Sequence, residues 1–127
     1  MKRDKPSVRG WRRRMLSFRF AGKGLLLLMR SQPNFRFHLL AAAGVIGAGF
    51  YFHVERWEWV ALLLTISSVL VAEALNSALE FLTDLVSPQY HPLAGKAKDA
   101  AAAAVLIAAL LAMGVGLVIF IPYLWPA

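Results

Sequence analysis

Four residues near the middle of the chain carry side chains that could do chemistry: Glu73, Asn76, Glu80 and Asp84. Their spacing of three, four and four places them on one face of a helix, with Ser77 at its border. Carboxylates hold Mg²⁺ well, and a carboxylate in a low-dielectric site can serve as a general base. A short loop follows, Ser87-Pro88-Gln89-Tyr90-His91-Pro92, and leads to Gly95-Lys96-Ala97-Lys98-Asp99. This loop can return Lys98 to the carboxylates, where a lysine neutralises phosphate oxygens. Metal-holding carboxylate, base and lysine are the parts phosphoryl transfer requires. The pattern G-x-x-x-x-G-K-[ST] is absent from the sequence, so a nucleotide site here is of an unusual kind. His38 and His53 have no metal-ligand partners at helical spacing and are read as interfacial residues.

The elements that must position these residues belong to an all-α membrane protein. Apolar residues make up 59% of the 127 residues, too many for an ordinary soluble domain of this size. Of the 14 Lys and Arg residues, 11 lie between Lys2 and Arg36. A nucleic-acid-binding domain shares a basic balance but not the long uncharged runs behind it, so nucleic acid is not an expected partner. Residues 1–10 read as a loose polar tail. From Trp11 to Met29 an apolar or small residue recurs at Trp11, Met15, Phe18, Gly22, Leu25 and Met29. Cations flank this stripe, as in a helix lying in the headgroup plane. Pro33 ends that helix.

Three apolar segments come next, over 35–54, 57–86 and 100–125, and each is read as a membrane span of one domain covering residues 1–127. Trp57, Trp59, Tyr123 and Trp125 are expected at the interfaces. The basic N-terminus and the loop with Lys96 and Lys98 fall on one side, which makes that side cytoplasmic. At 1.5 Å per residue Glu73 lies about 24 Å from Trp57 along the axis, inside the hydrocarbon. An acidic residue at that depth points to function.

The run Glu73-Ala74-Leu75-Asn76-Ser77-Ala78-Leu79-Glu80, then Asp84, then Tyr90-His91-Pro92-Leu93-Ala94-Gly95-Lys96-Ala97-Lys98-Asp99, closely resembles the prokaryotic diacylglycerol kinase and undecaprenol kinase family. Lys23-Gly24-Leu25 and Asn34-Phe35-Arg36-Phe37-His38 resemble the family's surface helix and its junction with the first span. The resemblance covers roughly residues 12–120. It implies a homotrimer in the bacterial inner membrane, with sites shared between subunits, that moves the γ-phosphate of MgATP to a lipid hydroxyl.

Carried over by motif, Glu73 is the base at the lipid hydroxyl, Asn76 positions the reacting groups and Glu80 binds the metal. Lys98 and Asp99 contact the nucleotide, Gln89, Tyr90 and His91 lie near its adenosine part, and Arg13 lies near the lipid headgroup. Two positions depart from the pattern. Gln32 stands where the family commonly has a metal-binding Glu, and brings an oxygen ligand without charge. Phe20 stands where some members have a Tyr near the nucleotide, and cannot donate a hydrogen bond. The Asn34–His38 stretch resembles the undecaprenol branch more than the diacylglycerol branch. A reading from another class, a small oligomeric channel or proton-linked transporter lined by the Glu73 stripe, explains the buried carboxylate but not Lys98 and Asp99.

Overall fold

A computed structural model describes residues 6–126 as four helices joined by short turns. Helix α1 spans Pro6–Ser31, α2 Pro33–Tyr51, α3 Arg56–Val86 and α4 Pro92–Leu124. Residues 1–5 of the expected tail lie outside the described residues. Residues 6–10, read as part of that tail, are instead the first turns of α1. A proline suits a helix start, where its missing N–H has no partner to lose. The break at Gln32 is where the sequence placed it: Gln32 has extended backbone angles, and Pro33 opens α2.

The last helix begins earlier than the apolar run did. The segment from Pro92 to Lys98, read as the end of the loop, is already helical. His91 caps this helix, its Nδ1 accepting the backbone N–H of Leu93 at 3.1 Å. A side-chain acceptor at this position satisfies one of the donors a helix start leaves open. Helices α3 and α4 are long and apolar enough to cross a membrane; the 19-residue α2 does not pass the same test, because Asn34, Arg36 and His38 occupy its first turns.

The helices pack around a small core of Val54, Leu62 and Ile119, near the α2–α3 turn. Trp59 and Tyr123, expected as interface anchors, are half-buried against this core, whereas Trp57 and Trp125 are exposed. Tyr123 also donates its hydroxyl to Oε2 of the buried Glu58, which accepts the backbone N–H of Glu55 as well. This end of the bundle is therefore closed by packing and by satisfied polar groups, and the other end carries the candidate chemistry.

One close approach fixes the α2–α3 spacing. A Cβ added at Gly49 would lie 2.6 Å from the Trp59 ring. Gly49→Val should lower stability by about 1–3 kcal/mol, the usual cost of overpacking. Thermal unfolding in detergent checks this, and a variant as stable as the parent would show that the helices separate without cost.

Candidate active site

The site is built on the last four turns of α3. Glu73, Asn76 and Ser77 are buried there, with Glu73 3% exposed and Ser77 1%. Ser77 donates its hydroxyl to the backbone carbonyl of Glu73 at 3.0 Å, which spares a buried hydroxyl from being unpaired. Asn76 donates from Nδ2 to Oε1 of Glu80 at 3.2 Å, one turn further on. The Oδ1 of Asn76 is buried without a hydrogen-bond partner. The spacing read from the sequence thus becomes a continuous polar edge, Glu73 to Asn76 to Glu80, and the orphaned amide oxygen marks it as a place prepared for something more.

Lys98 enters from α4. Its Nζ lies 2.6 Å from Oδ1 of Asp84, with 43% and 66% of the two side chains exposed. The lysine therefore does return to the acidic stripe, and the carboxylate it meets is Asp84. The pair closes one wall of a pocket of about 190 Å³ lined by Thr83, Asp84, Gln89, Tyr90, His91 and Lys98, among others. Four of the residues assigned to the nucleotide are thus brought together: Gln89, Tyr90, His91 and Lys98. Asp99 is exposed on the same helix and does not line this pocket.

The residues expected from α1 and its junction are not brought to it within one chain. Phe20 is exposed, with the Lys23 ammonium 5.7 Å from its ring centroid. Arg13 is exposed, and its backbone carbonyl accepts the Ser17 hydroxyl. Gln32 is half-buried at the N-cap of α2, and its side chain makes no capping hydrogen bond. Among the described residues no three His, Asp or Glu side chains converge as a metal cluster. The donors that are present nonetheless suit Mg²⁺. The Glu80 carboxylate and the Asn76 amide oxygen are hard oxygen donors of the kind Mg²⁺ takes, although Asn76 turns its Nδ2 to Glu80.

His38, read as an interfacial residue with no metal-ligand partner at helical spacing, gains a partner from another helix: its Nε2 lies 3.3 Å from Oε1 of Glu73. Periodicity along one helix could not reveal a contact between two. The signal was in the hairpin: His38 lies 51 − 38 = 13 residues before the end of α2 and Glu73 lies 73 − 56 = 17 residues after the start of α3, so antiparallel helices bring them within about one turn of each other.

The family model for prokaryotic diacylglycerol kinase matches residues 19–120. The undecaprenol kinase of Bacillus subtilis (strain 168) is 42% identical over 108 residues, covering 85% of this chain and 88% of that protein. A diacylglycerol kinase of Synechocystis is 42% identical over 109 residues, covering 85% of this chain and 62% of its own length. The diacylglycerol kinase of Escherichia coli (strain K12) is 33% identical over 94 residues, covering 74% and 77%.

Proposed function

We propose that this chain, which belongs to the prokaryotic diacylglycerol kinase family and is an ATP-dependent lipid kinase, phosphorylates undecaprenol at the cytoplasmic face of the bacterial inner membrane. The buried Glu73, on the same helix edge as Asn76 and Glu80, with Lys98 paired to Asp84 about three turns further along that helix, carries the reading. Glu73 takes the proton of the lipid hydroxyl. The hydroxyl oxygen then bonds to the γ-phosphorus of ATP while the bond from that phosphorus to the ADP oxygen breaks. Asn76 orients the reacting groups. Lys98 neutralises phosphate oxygens, and Asp99 contacts the nucleotide beside it. Gln89, Tyr90 and His91 hold the adenosine part, against which Phe20 packs. Arg13 meets the lipid headgroup.

Glu80 and Gln32 would hold Mg²⁺, with the Asn76 oxygen within the same polar edge. The ion supplies positive charge across the transferring phosphates. Gln32→Glu should restore a second ligand charge and lower the Mg²⁺ concentration needed for half-maximal turnover. An unchanged magnesium titration would remove Gln32 from the metal site.

Three membrane spans and a homotrimer belong to this proposal. Helix α2, with 19 residues, is about 28 Å long at 1.5 Å per residue and matches a bilayer core. With α1 lying on the cytoplasmic surface, a neighbouring subunit is what would carry Phe20, Arg13 or Gln32 to the pocket between α3 and α4. Undecaprenol is preferred to diacylglycerol on the Asn34-Phe35-Arg36-Phe37-His38 stretch, since relatives named for either lipid reach 42% identity. The test is ATP-dependent phosphorylation in mixed micelles with both lipids assayed in parallel. Undecaprenyl phosphate as the main product supports the proposal. Phosphatidic acid as the main product replaces the acceptor, and no product from either lipid overturns the reading of the site.

A further inference from the structure

A buried carboxylate needs a partner, and the one that Glu73 meets across the helix interface is His38. The two side chains are 18% and 4% exposed. Among the described residues no other basic side chain lies within ion-pair distance of Glu73. The imidazole is held on its own helix, where the Phe37 ring meets it edge-on with centroids 5.6 Å apart. It is also the single polar side chain lining an apolar groove of about 490 Å³ between α2, α3 and α4. An unpartnered imidazole in that wall would lose hydration without compensation. Its Nε2 instead lies 3.3 Å from Oε1 of Glu73.

A glutamate on a helix has several rotatable bonds, and a base works only when one oxygen faces the proton it takes. A contact on Oε1 from a different helix removes much of that freedom. We infer that His38 is a positioning residue, its Nε2–H holding the Glu73 carboxylate so that the other oxygen faces the acceptor hydroxyl. The inference rests on the reading of Glu73 as the base. It requires the tautomer with hydrogen on Nε2. It gives the final residue of the Asn34–His38 stretch a part in the reaction without contact with substrate.

Two substitutions separate positioning from packing. His38→Phe keeps a ring of similar shape and removes the donor. His38→Gln places an amide nitrogen near the position of Nε2 and removes the ring. The full-length protein is assayed in mixed micelles with MgATP and undecaprenol or diacylglycerol, whichever the parent phosphorylates. His38→Phe should lower kcat by about 10- to 100-fold, the scale of a slightly misplaced catalytic group. Its KM for MgATP should be unchanged, and His38→Gln should recover most of the loss. A kcat near the parent's in His38→Phe, or a loss equal in both variants, overturns the inference.

A second measurement needs no activity. In ¹⁵N-histidine-labelled protein in detergent, without lipid or nucleotide, Glu73→Gln should shift the His38 Nε2 resonance. An unmoved resonance overturns the pair. If the parent phosphorylates neither lipid, the kinase reading of the site fails, while this spectrum still decides whether His38 holds Glu73.

Discussion

Glu73→Gln is expected to bring lipid phosphorylation below about one per cent of the parent rate, since a general base contributes roughly 10²- to 10⁴-fold. The substitution keeps the size of the side chain and replaces a buried carboxylate by a neutral amide. Within α3 the charge has no partner: Ser77 bonds to the backbone carbonyl at this position, and an amide oxygen can still accept from His38 of α2. Folding should therefore be intact, as checked by helical content and elution volume in detergent. The KM for MgATP should also change little, because Glu73 lies about three turns from Lys98's partner Asp84 in the pocket proposed for the nucleotide. A variant that is folded and turns over near the parent rate would falsify the assignment of Glu73. A variant that fails to fold would mean that the carboxylate holds α2 and α3 together through His38, and that its depth in the bilayer served structure.

The candidate site was unevenly legible in the sequence, and the reasons are physical. The Glu73–Asn76–Glu80 edge could be read because helical spacing alone puts these residues on one face. The return of Lys98 to the acidic stripe was legible because the loop before it is short, whereas Gln89, Tyr90 and His91, which line one pocket with it, came from the resemblance alone. The start of α4 was not legible, because Gly95, Lys96, Lys98 and Asp99 resemble loop composition and histidine is an uncommon helix cap. The early start matters for the site. It sets Lys98 on a rigid helix two turns from its cap, and so fixes which carboxylate it meets. The contact of His38 was hidden for a different reason. Its partner lies on another helix, and only the register of the α2–α3 hairpin connects them. Phe20, Arg13 and Gln32 were assigned by resemblance, and the fold of one chain leaves them apart from the pocket.

The Lys98–Asp84 pair yields the second large effect, and it separates two roles the geometry permits. As a staple between α3 and α4, the pair would lose about as much on either side: Lys98→Ala and Asp84→Asn would both reduce stability, and kinetics would follow only through folding. An exposed pair of this kind is a weak staple, since water screens it and long side chains must be ordered to form it. As a phosphate ligand held ready by Asp84, Lys98 behaves asymmetrically. Lys98→Ala should then lower kcat/KM for MgATP by about 10²- to 10³-fold, the scale of losing one preorganised group that meets developing charge. Asp84→Asn keeps the lysine and should change kcat/KM far less. Lys98→Arg should recover only part of the loss, because a planar guanidinium does not place its charge where an ammonium does. Steady-state kinetics on the three variants, with thermal unfolding beside them, decides. Equal losses at both positions, tracking stability, would leave the pair as a staple and return the search for the phosphate ligand to the basic residues of α1.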